Sequence, residues 1–170
     1  MGKTIFVTVG TTQFDSLIKK ITSEEALETL AALGYSQLTA QIGRGEYEPS
    51  ESTSRTNGHP AVSVSWFRLK ASIEDDIAAS DLVVSHAGAG SVMDCLGLGK
   101  PVLVVVNEEL MGNHQTELAH KLAKDGHLHF CGVKDLVVSL KSLDWSCLTP
   151  FPPGEPAKVA RFLDSALGFV

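Results

Sequence analysis

Cysteine is scarce in this sequence, and its few cysteines lie far apart. Three occur in 170 residues, at Cys95, Cys131 and Cys147. Because their number is odd and no Cys-x-x-Cys pair is present, the pattern predicts neither a disulfide framework nor a zinc site. It is typical of free thiols in a reducing compartment. The six histidines form no His-x-x-x-His motif and there is no Asp-x-Asp pair, so we predict no metal site.

Long hydrophobic runs are also missing. The longest, 82–84 and 102–106, fall far short of the roughly 20 residues that span a bilayer. The apolar stretch 4–10 is too short for the core of a signal peptide. The sequence therefore predicts a soluble, cytoplasmic protein that contacts a membrane only through a partner.

An excess of positive charge is the third absence. The chain has 14 Lys and Arg against 20 Asp and Glu, a net charge of −6. Nucleic acids and anionic lipids are generally bound by basic surfaces, so we exclude nucleic acid as a partner. The length and the 44% hydrophobic content are ordinary for one soluble globular domain.

Strand-like and helix-like stretches alternate along the chain. Strands are predicted at 4–10, 37–43, 61–67, 81–87, 100–107 and 127–131, and a helix follows most of them. Strands that are apolar on both faces predict an α/β fold, a Rossmann-like doubly wound parallel sheet with helices on both sides. In such sheets ligands bind beyond the carboxyl ends of the strands, so the functional residues are expected there.

Two segments depart from this alternation. The polar segment 43–60 is rich in Gly, Pro and Ser and predicts a long, flexible loop. A proline-rich break separates the main domain, 1–149, from 150–170, where a linker leads into an amphipathic helix. That helix either docks on a partner subunit or covers its own sheet. Its apolar face would hold Val159, Phe162, Leu163, Ala166, Leu167 and Val170.

The turn after the first strand is a candidate anion site. Gly10 ends the strand, and Thr11 and Thr12 open the predicted helix. Free N–H groups and the helix dipole favour an anion at a helix N-terminus. The alternative is a plain capped helix in which Thr12 and Asp15 form a capping box.

The turn after the fourth strand is a stronger signal. Its glycines allow a close approach of the backbone to a ligand, its serine offers a hydroxyl, and its histidine faces the same crevice. Met93 stands where the third glycine of a dinucleotide motif belongs, so the phosphates of a nucleotide-sugar fit better. Alternatively, the glycines only shape the turn and the histidine is structural. The residues concerned are His86, Gly88, Ala89, Gly90 and Ser91.

Two further positions suit a sugar ligand. Asp94 lies one turn into the helix, where its carboxylate can accept hydrogen bonds from both ribose hydroxyls; alternatively it forms a capping box with Ser91. Asn113, His114 and Gln115 open a later helix. Amide side chains suit the hydroxyls of a sugar, although polar residues are common in the first turn of any helix.

Taken in order, "FVTVGTTQFDSL", "QIGRG", "DLVVSHAGAGS" and "NHQTELA" resemble the cytosolic catalytic subunits of endoplasmic-reticulum UDP-N-acetylglucosamine transferases, which are GT-B glycosyltransferases. These enzymes add the second GlcNAc to dolichol-diphosphate-GlcNAc, and the resemblance covers nearly the whole chain. It implies that the chain is equivalent to the C-terminal, donor-binding half of a GT-B enzyme, with no cofactor and no metal. A separate membrane-anchored subunit would hold the acceptor and recruit the chain to the cytosolic face of the endoplasmic reticulum.

The resemblance also implies roles for the candidate residues. His86 and the turn Gly88–Ser91 would contact the UDP diphosphate, with His86 stabilising the leaving group. Asp94 falls where relatives carry a ribose-binding glutamate. Thr11 and Thr12 would face the cleft near the acceptor phosphates, and Gln115 would contact the donor sugar, with His114 in place of the relatives' aspartate. No residue is identified as the catalytic base. Two alternatives remain: a non-catalytic nucleotide-binding regulatory subunit, or the donor half of a split bacterial exopolysaccharide glycosyltransferase.

Overall fold

The computed structural model of the chain describes residues 2–51, 61–107 and 113–168, without the side chains of 113–115. Six strands and seven α-helices are present in these ranges, and a 3₁₀ turn at Trp145–Cys147 precedes the last helix. The strands are β1 (Lys3–Thr8), β2 (Tyr35–Gln41), β3 (Ser63–Phe67), β4 (Leu82–His86), β5 (Val102–Val106) and β6 (His129–Gly132). The helices are α1 (Asp15–Ile21), α2 (Glu24–Ala32), α3 (Glu74–Ala79), α4 (Ala89–Gly97), α5 (Asn113–Lys124), α6 (Leu136–Ser142) and α7 (Pro156–Leu167).

The six strands form one sheet in the order β3-β2-β1-β4-β5-β6. Every neighbouring pair is parallel. The chain first builds outwards from β1 in one direction and then returns to build from β1 in the other. This confirms the predicted Rossmann-like doubly wound fold and places its topological switch point between β1 and β4.

Helices cover the sheet on both faces. Core side chains of α1, α2 and α6 pack on one face, and those of α3, α4 and α5 pack on the other. Strand β5 is buried along its whole length, as its all-apolar sequence predicts. In β2, by contrast, Gln37 is exposed beside buried Leu38, so burial on both faces does not hold for every strand.

The first helical region differs from the prediction in two ways. Helix α2 was not predicted; it is capped by Ser23, whose hydroxyl accepts a hydrogen bond from the Ala26 amide at 3.3 Å. Helix α1 begins at Asp15, and its N-cap position is Phe14, which makes no side-chain cap. The predicted capping box of Thr12 and Asp15 is therefore wrong, because the Thr12 hydroxyl donates to the Val9 carbonyl at 2.8 Å and closes the preceding turn.

Asp15 instead holds the beginning of the segment that was expected to be a flexible loop. Its carboxylate accepts hydrogen bonds from the backbone amides of Glu46 at 3.3 Å and Tyr47 at 3.1 Å. The Arg44 amide also donates to the Thr12 carbonyl at 2.9 Å. Residues 44–47 are thus attached to the β1–α1 turn, whereas 52–60 lie outside the described residues.

The C-terminal helix α7 stands clear of the sheet. Every one of its residues is exposed, including Phe162 at 71% and Leu167 at 67% of their accessible surface. Of the two alternatives for this helix, covering its own sheet is not what the structure shows; Val170 lies outside the described residues. Among the residues that the structure describes, no helix combines the length and apolarity needed to cross a bilayer.

Candidate functional site

The two predicted turns meet at the switch point of the sheet. Gly10 follows β1 with a φ of +61°, a left-handed conformation that favours glycine. A Cβ at this position would lie 2.9 Å from His86 Cε1 and 3.8 Å from Ser91 Oγ. The β1–α1 turn, the tip of β4 and the start of α4 therefore form one crevice, as the sequence predicts.

His86 bridges the two central strands. Its Nδ1 lies 3.3 Å from the carbonyl oxygen of Thr8. Because a carbonyl only accepts hydrogen bonds, Nδ1 must carry the proton, and Nε2 of the neutral ring presents a lone pair. Burial lowers the pKa of His86, and the hydrogen bond to Thr8 opposes that shift only in part. The neutral ring can therefore accept a hydrogen bond at Nε2, and it becomes a donor there only when it is protonated.

Gly88 is required by this histidine rather than by its own backbone conformation. Its φ is −74°, which any residue adopts, but a Cβ here would overlap the His86 imidazole. Gly90 has open space around the same position. The two glycines of the turn therefore have different roles. Gly88 makes room for the His86 side chain, and Gly90 leaves open space beside the first turn of α4.

The N-terminus of α4 offers amides to a ligand. Gly88 is its N-cap residue, and no side chain caps the helix. Since Ser91 lies inside the first turn, the predicted alternative of a capping box between Ser91 and Asp94 is wrong. The amides of residues 89–91 lack the partner that a capping side chain provides, and such amides bind anions.

A cavity of about 550 Å³ opens beside this helix. Four predicted residues line it: Gly10, Thr11, Ser91 and Asp94. Five other predicted residues are not among its lining residues, and their contacts with a ligand stay predictions: Thr12, His86, Gly88, Ala89 and Gly90. The structure thus brings one predicted turn, the last residue of the other and the ribose candidate to one cavity. Its other lining residues are Gln41, Lys70, Ala71, Ser72, Ile73, Glu74, Ile77, Met93, Gly97 and Leu98.

The opposite wall of the cavity was missed by the sequence analysis. It is the loop 70–74 between β3 and α3. Lys70 extends over the Phe67 ring, 4.0 Å from its centroid, and its Nζ lies 2.7 Å from Asp76 Oδ1. The rule that ligands bind beyond carboxyl ends of strands also points to this loop, because it follows a predicted strand.

The third group of candidates falls at the edge of the described chain. Helix α5 begins at Asn113, as predicted. The side chains of Asn113, His114 and Gln115 lie outside the described residues, so their assignment to the sugar remains a prediction.

The profile of the glycosyltransferase family 28 C-terminal domain matches residues 4–163. The human UDP-N-acetylglucosamine transferase subunit ALG13 is 46% identical over 129 residues; the match covers 76% of this chain but only 11% of that protein's length. An NMR solution structure of ALG13 superposes with a TM-score of 0.69 at 27% identity and covers 95% of both chains. The fold also matches Acinetobacter baumannii MurG with a TM-score of 0.65 at 16% identity, over 87% of this chain and 43% of that chain. These matches confirm the expected likeness to the C-terminal half of a GT-B glycosyltransferase.

Proposed function

Because this chain belongs to the family of glycosyltransferase family 28 C-terminal domains, we propose that it is the donor-binding, catalytic subunit of a UDP-N-acetylglucosamine transferase. In this proposal the donor is UDP-GlcNAc and the acceptor is dolichol-diphosphate-GlcNAc, which receives the second GlcNAc of the lipid-linked oligosaccharide used for N-glycosylation. The names of the relatives support the donor. The acceptor follows from the family resemblance.

The observation that carries the proposal is the uncapped N-terminus of α4 beside the 550 Å³ cavity. A diphosphate bound to the amides of residues 89–91 would lie next to Gly10 and His86. The nucleoside would extend towards the loop 70–74. Asp94, one turn further along α4, would then reach the ribose, whose two hydroxyls suit a carboxylate acceptor.

The proposed reaction inverts the anomeric centre. The acceptor hydroxyl forms a bond to C1 of GlcNAc while the bond from C1 to the diphosphate oxygen breaks, and the hydroxyl proton passes to a base. Negative charge grows on the departing UDP. Preorganised amides at α4 would stabilise that charge more in the transition state than in the ground state. A protonated His86 Nε2 would donate a further hydrogen bond to it.

The acceptor would be held by a second, membrane-anchored subunit at the cytosolic face of the endoplasmic reticulum. Helix α7 supports this part of the proposal. Val159, Phe162, Leu163 and Leu167 expose between 50% and 71% of their surface on one side of the helix. Contiguous exposed apolar side chains of this kind are typical of protein interfaces.

The test is a paired-subunit assay. The full chain is assayed alone and together with its membrane subunit, with UDP-GlcNAc or UDP-glucuronate as donor and dolichol-diphosphate-GlcNAc as acceptor. We expect turnover only with both subunits and only with UDP-GlcNAc. Turnover with UDP-glucuronate instead would support the bacterial exopolysaccharide alternative.

Asp94 separates the catalytic proposal from the regulatory alternative. Asp94→Asn should lower kcat/KM for UDP-GlcNAc at least about tenfold, because a charge-assisted hydrogen bond is lost. Asp75→Asn is the matched control, since Asp75 is an exposed residue of α3 and its replacement removes the same charge outside the cavity. Weaker UDP-GlcNAc binding by Asp94→Asn without any change in turnover would favour a regulatory subunit.

A further inference from the structure

Three buried polar side chains cross the sheet at one level, close to the proposed diphosphate site. Thr8 pairs with Gln41 of β2 and with Ser85 of β4 in the parallel register. Thr8 and Ser85 are fully buried, and Gln41 exposes 4% of its surface. Polar groups in such positions are costly unless each has a hydrogen-bond partner.

Almost every polar group in this row has a partner. The Thr8 hydroxyl donates to Gln41 Oε1 at 2.6 Å and accepts from the Gly10 amide at 3.0 Å. The Ser85 hydroxyl donates to the carbonyl of His86 at 2.9 Å. The exception is the amide nitrogen of Gln41, which donates no hydrogen bond to any residue that the structure describes.

The orientation of the Gln41 carboxamide follows from the same bonds. If its nitrogen faced Thr8, the Thr8 hydroxyl would receive two donors and its own proton would have no acceptor. With Oε1 towards Thr8, all three groups are satisfied. The nitrogen, which carries two N–H donors, therefore points away from Thr8. Gln41 lines the 550 Å³ cavity together with Gly10, so these donors open into it.

We propose that the Gln41 amide nitrogen donates a hydrogen bond to a phosphate oxygen of the bound nucleoside diphosphate. This inference rests on the function proposed above. Gln41 and Gly10 share the Thr8 hydroxyl, which ties the Gln41 side chain to the β1–α1 turn beside the proposed diphosphate site. On its other side Gln41 pairs with Phe67 of β3, so the test below compares a ligand with phosphates and one without them. Among the described residues no completely buried side-chain nitrogen or oxygen lacks a partner, so the Gln41 nitrogen is not fully enclosed and can donate to a ligand in the cavity. The phosphates are the part of the ligand richest in acceptor oxygens.

Gln41 also connects the ligand to the β1–α1 turn. The chain of hydrogen bonds runs from the ligand through Gln41 and the Thr8 hydroxyl to the Gly10 amide. A ligand that binds Gln41 would therefore be linked to the turn whose glycine leaves room for the His86 ring.

The direct test is a titration of the wild-type chain with UDP, followed by NMR on the backbone amides and the glutamine side-chain NH₂ groups. We expect the Gln41 NH₂ resonances to shift on binding, together with the amides of Gly10, Gly88 and Ser91. Shifts at these backbone amides without any shift at Gln41 would overturn this inference alone. If UDP shifts none of these resonances, the proposed function fails and this inference fails with it.

Two variants measure the contribution by calorimetry with UDP and with uridine. Gln41→Met removes the donor without adding charge, and we expect UDP binding to weaken at least about tenfold, as for loss of a hydrogen bond to a charged group. Uridine binding should change much less, because uridine has no phosphate. Gln37→Met is the matched control, since Gln37 lies on the same strand and face but is exposed and outside this cavity.

Two outcomes of these titrations would contradict the proposed contact between Gln41 and a phosphate. A Gln41→Met chain that unfolds like the wild type and binds UDP within about twofold of it would contradict the inference, since that is well under 1 kcal/mol. Equal losses for uridine and UDP would place the acceptor on the nucleoside and overturn the phosphate assignment. If Gln41→Met does not fold, the NMR titration of the wild type decides.

Discussion

His86 Nδ1 donates to the Thr8 carbonyl oxygen at 3.3 Å and so joins β4 to β1 across the switch point of the sheet. The bond defines the tautomer of the imidazole and leaves Nε2 between Gly10 and Gly88. A histidine in this position titrates differently from one in solution, and the difference is measurable in both stability and binding.

The first prediction concerns stability. Burial lowers the pKa of native His86 below its ordinary value of 6.5, so the unfolded chain takes up a proton at a higher pH than the folded chain. The stabilising contribution is complete above pH 6.5 and is lost as the pH falls from there towards the native pKa. The free energy of unfolding, measured with urea, should therefore fall more between pH 7.5 and 5.5 for the wild type than for His86→Gln. Parallel curves for the two proteins would contradict this.

The second prediction concerns proton uptake on binding. The diphosphate of UDP-GlcNAc would favour a protonated His86 Nε2, because a neighbouring anion raises the pKa of an imidazole. Binding near neutral pH should take up a fraction of a proton, seen as a dependence of the binding enthalpy on the ionisation enthalpy of the buffer. His86→Gln should lose that dependence. UDP-GlcNAc is the better ligand here, because its β-phosphate is esterified to the sugar. The free terminal phosphate of UDP itself titrates near neutral pH and would add its own proton exchange.

The third prediction separates the glycines of the β4–α4 turn. Gly88→Ala should destabilise the fold by about 1–3 kcal/mol, since its Cβ displaces the His86 ring, and UDP binding should weaken as well. Gly90→Ala has open space and should leave the free energy of unfolding unchanged or raise it by about 0.5–1 kcal/mol, the usual gain for a helical Gly→Ala change. It should nevertheless weaken UDP binding, because the Cβ occupies ligand space. Wild-type affinity in Gly90→Ala would argue against a diphosphate at this turn.

The fourth prediction tests helix α7. Phe162→Asp should change the free energy of unfolding by no more than about 0.5 kcal/mol, as expected for an exposed side chain, yet it should abolish co-purification with the membrane subunit. Ser165→Asp adds the same charge to another side of the helix and should leave co-purification intact. Retention of the subunit by Phe162→Asp would exclude this face as the docking surface.

The fifth prediction concerns the thiols. Burial raises the pKa of Cys95 to about 12 and that of Cys131 to about 11, whereas Cys147 is exposed. Because the thiolate is the reactive species, a disulfide reagent at neutral pH should modify Cys147 rapidly and the other two only after denaturation. Cys147→Ser should abolish the rapid phase. Rapid modification of more than one thiol in the native chain would show that the interior opens readily.

Much of the site could be predicted from the sequence. The turn 86–91 and Asp94 were found because a strand, a glycine-containing turn and a helix follow one another within a short stretch. Local patterns of this kind are visible in one dimension. The start of α1 could not be found in this way, because Thr12 and Asp15 use their side chains to bond the preceding turn and a distant loop. Their spacing alone does not distinguish these bonds from a capping box.

The sequence by itself determined the class of fold and the turns of the candidate anion site, because alternating strand and helix patterns and glycine positions depend on neighbouring residues. Only the tertiary structure decided that Gln41 and the loop 70–74 share a cavity with Asp94, and that α7 is uncovered. The reason is the strand order: β1 lies between β2 and β4 through long-range pairing, and no local pattern specifies which distant residues that pairing brings together.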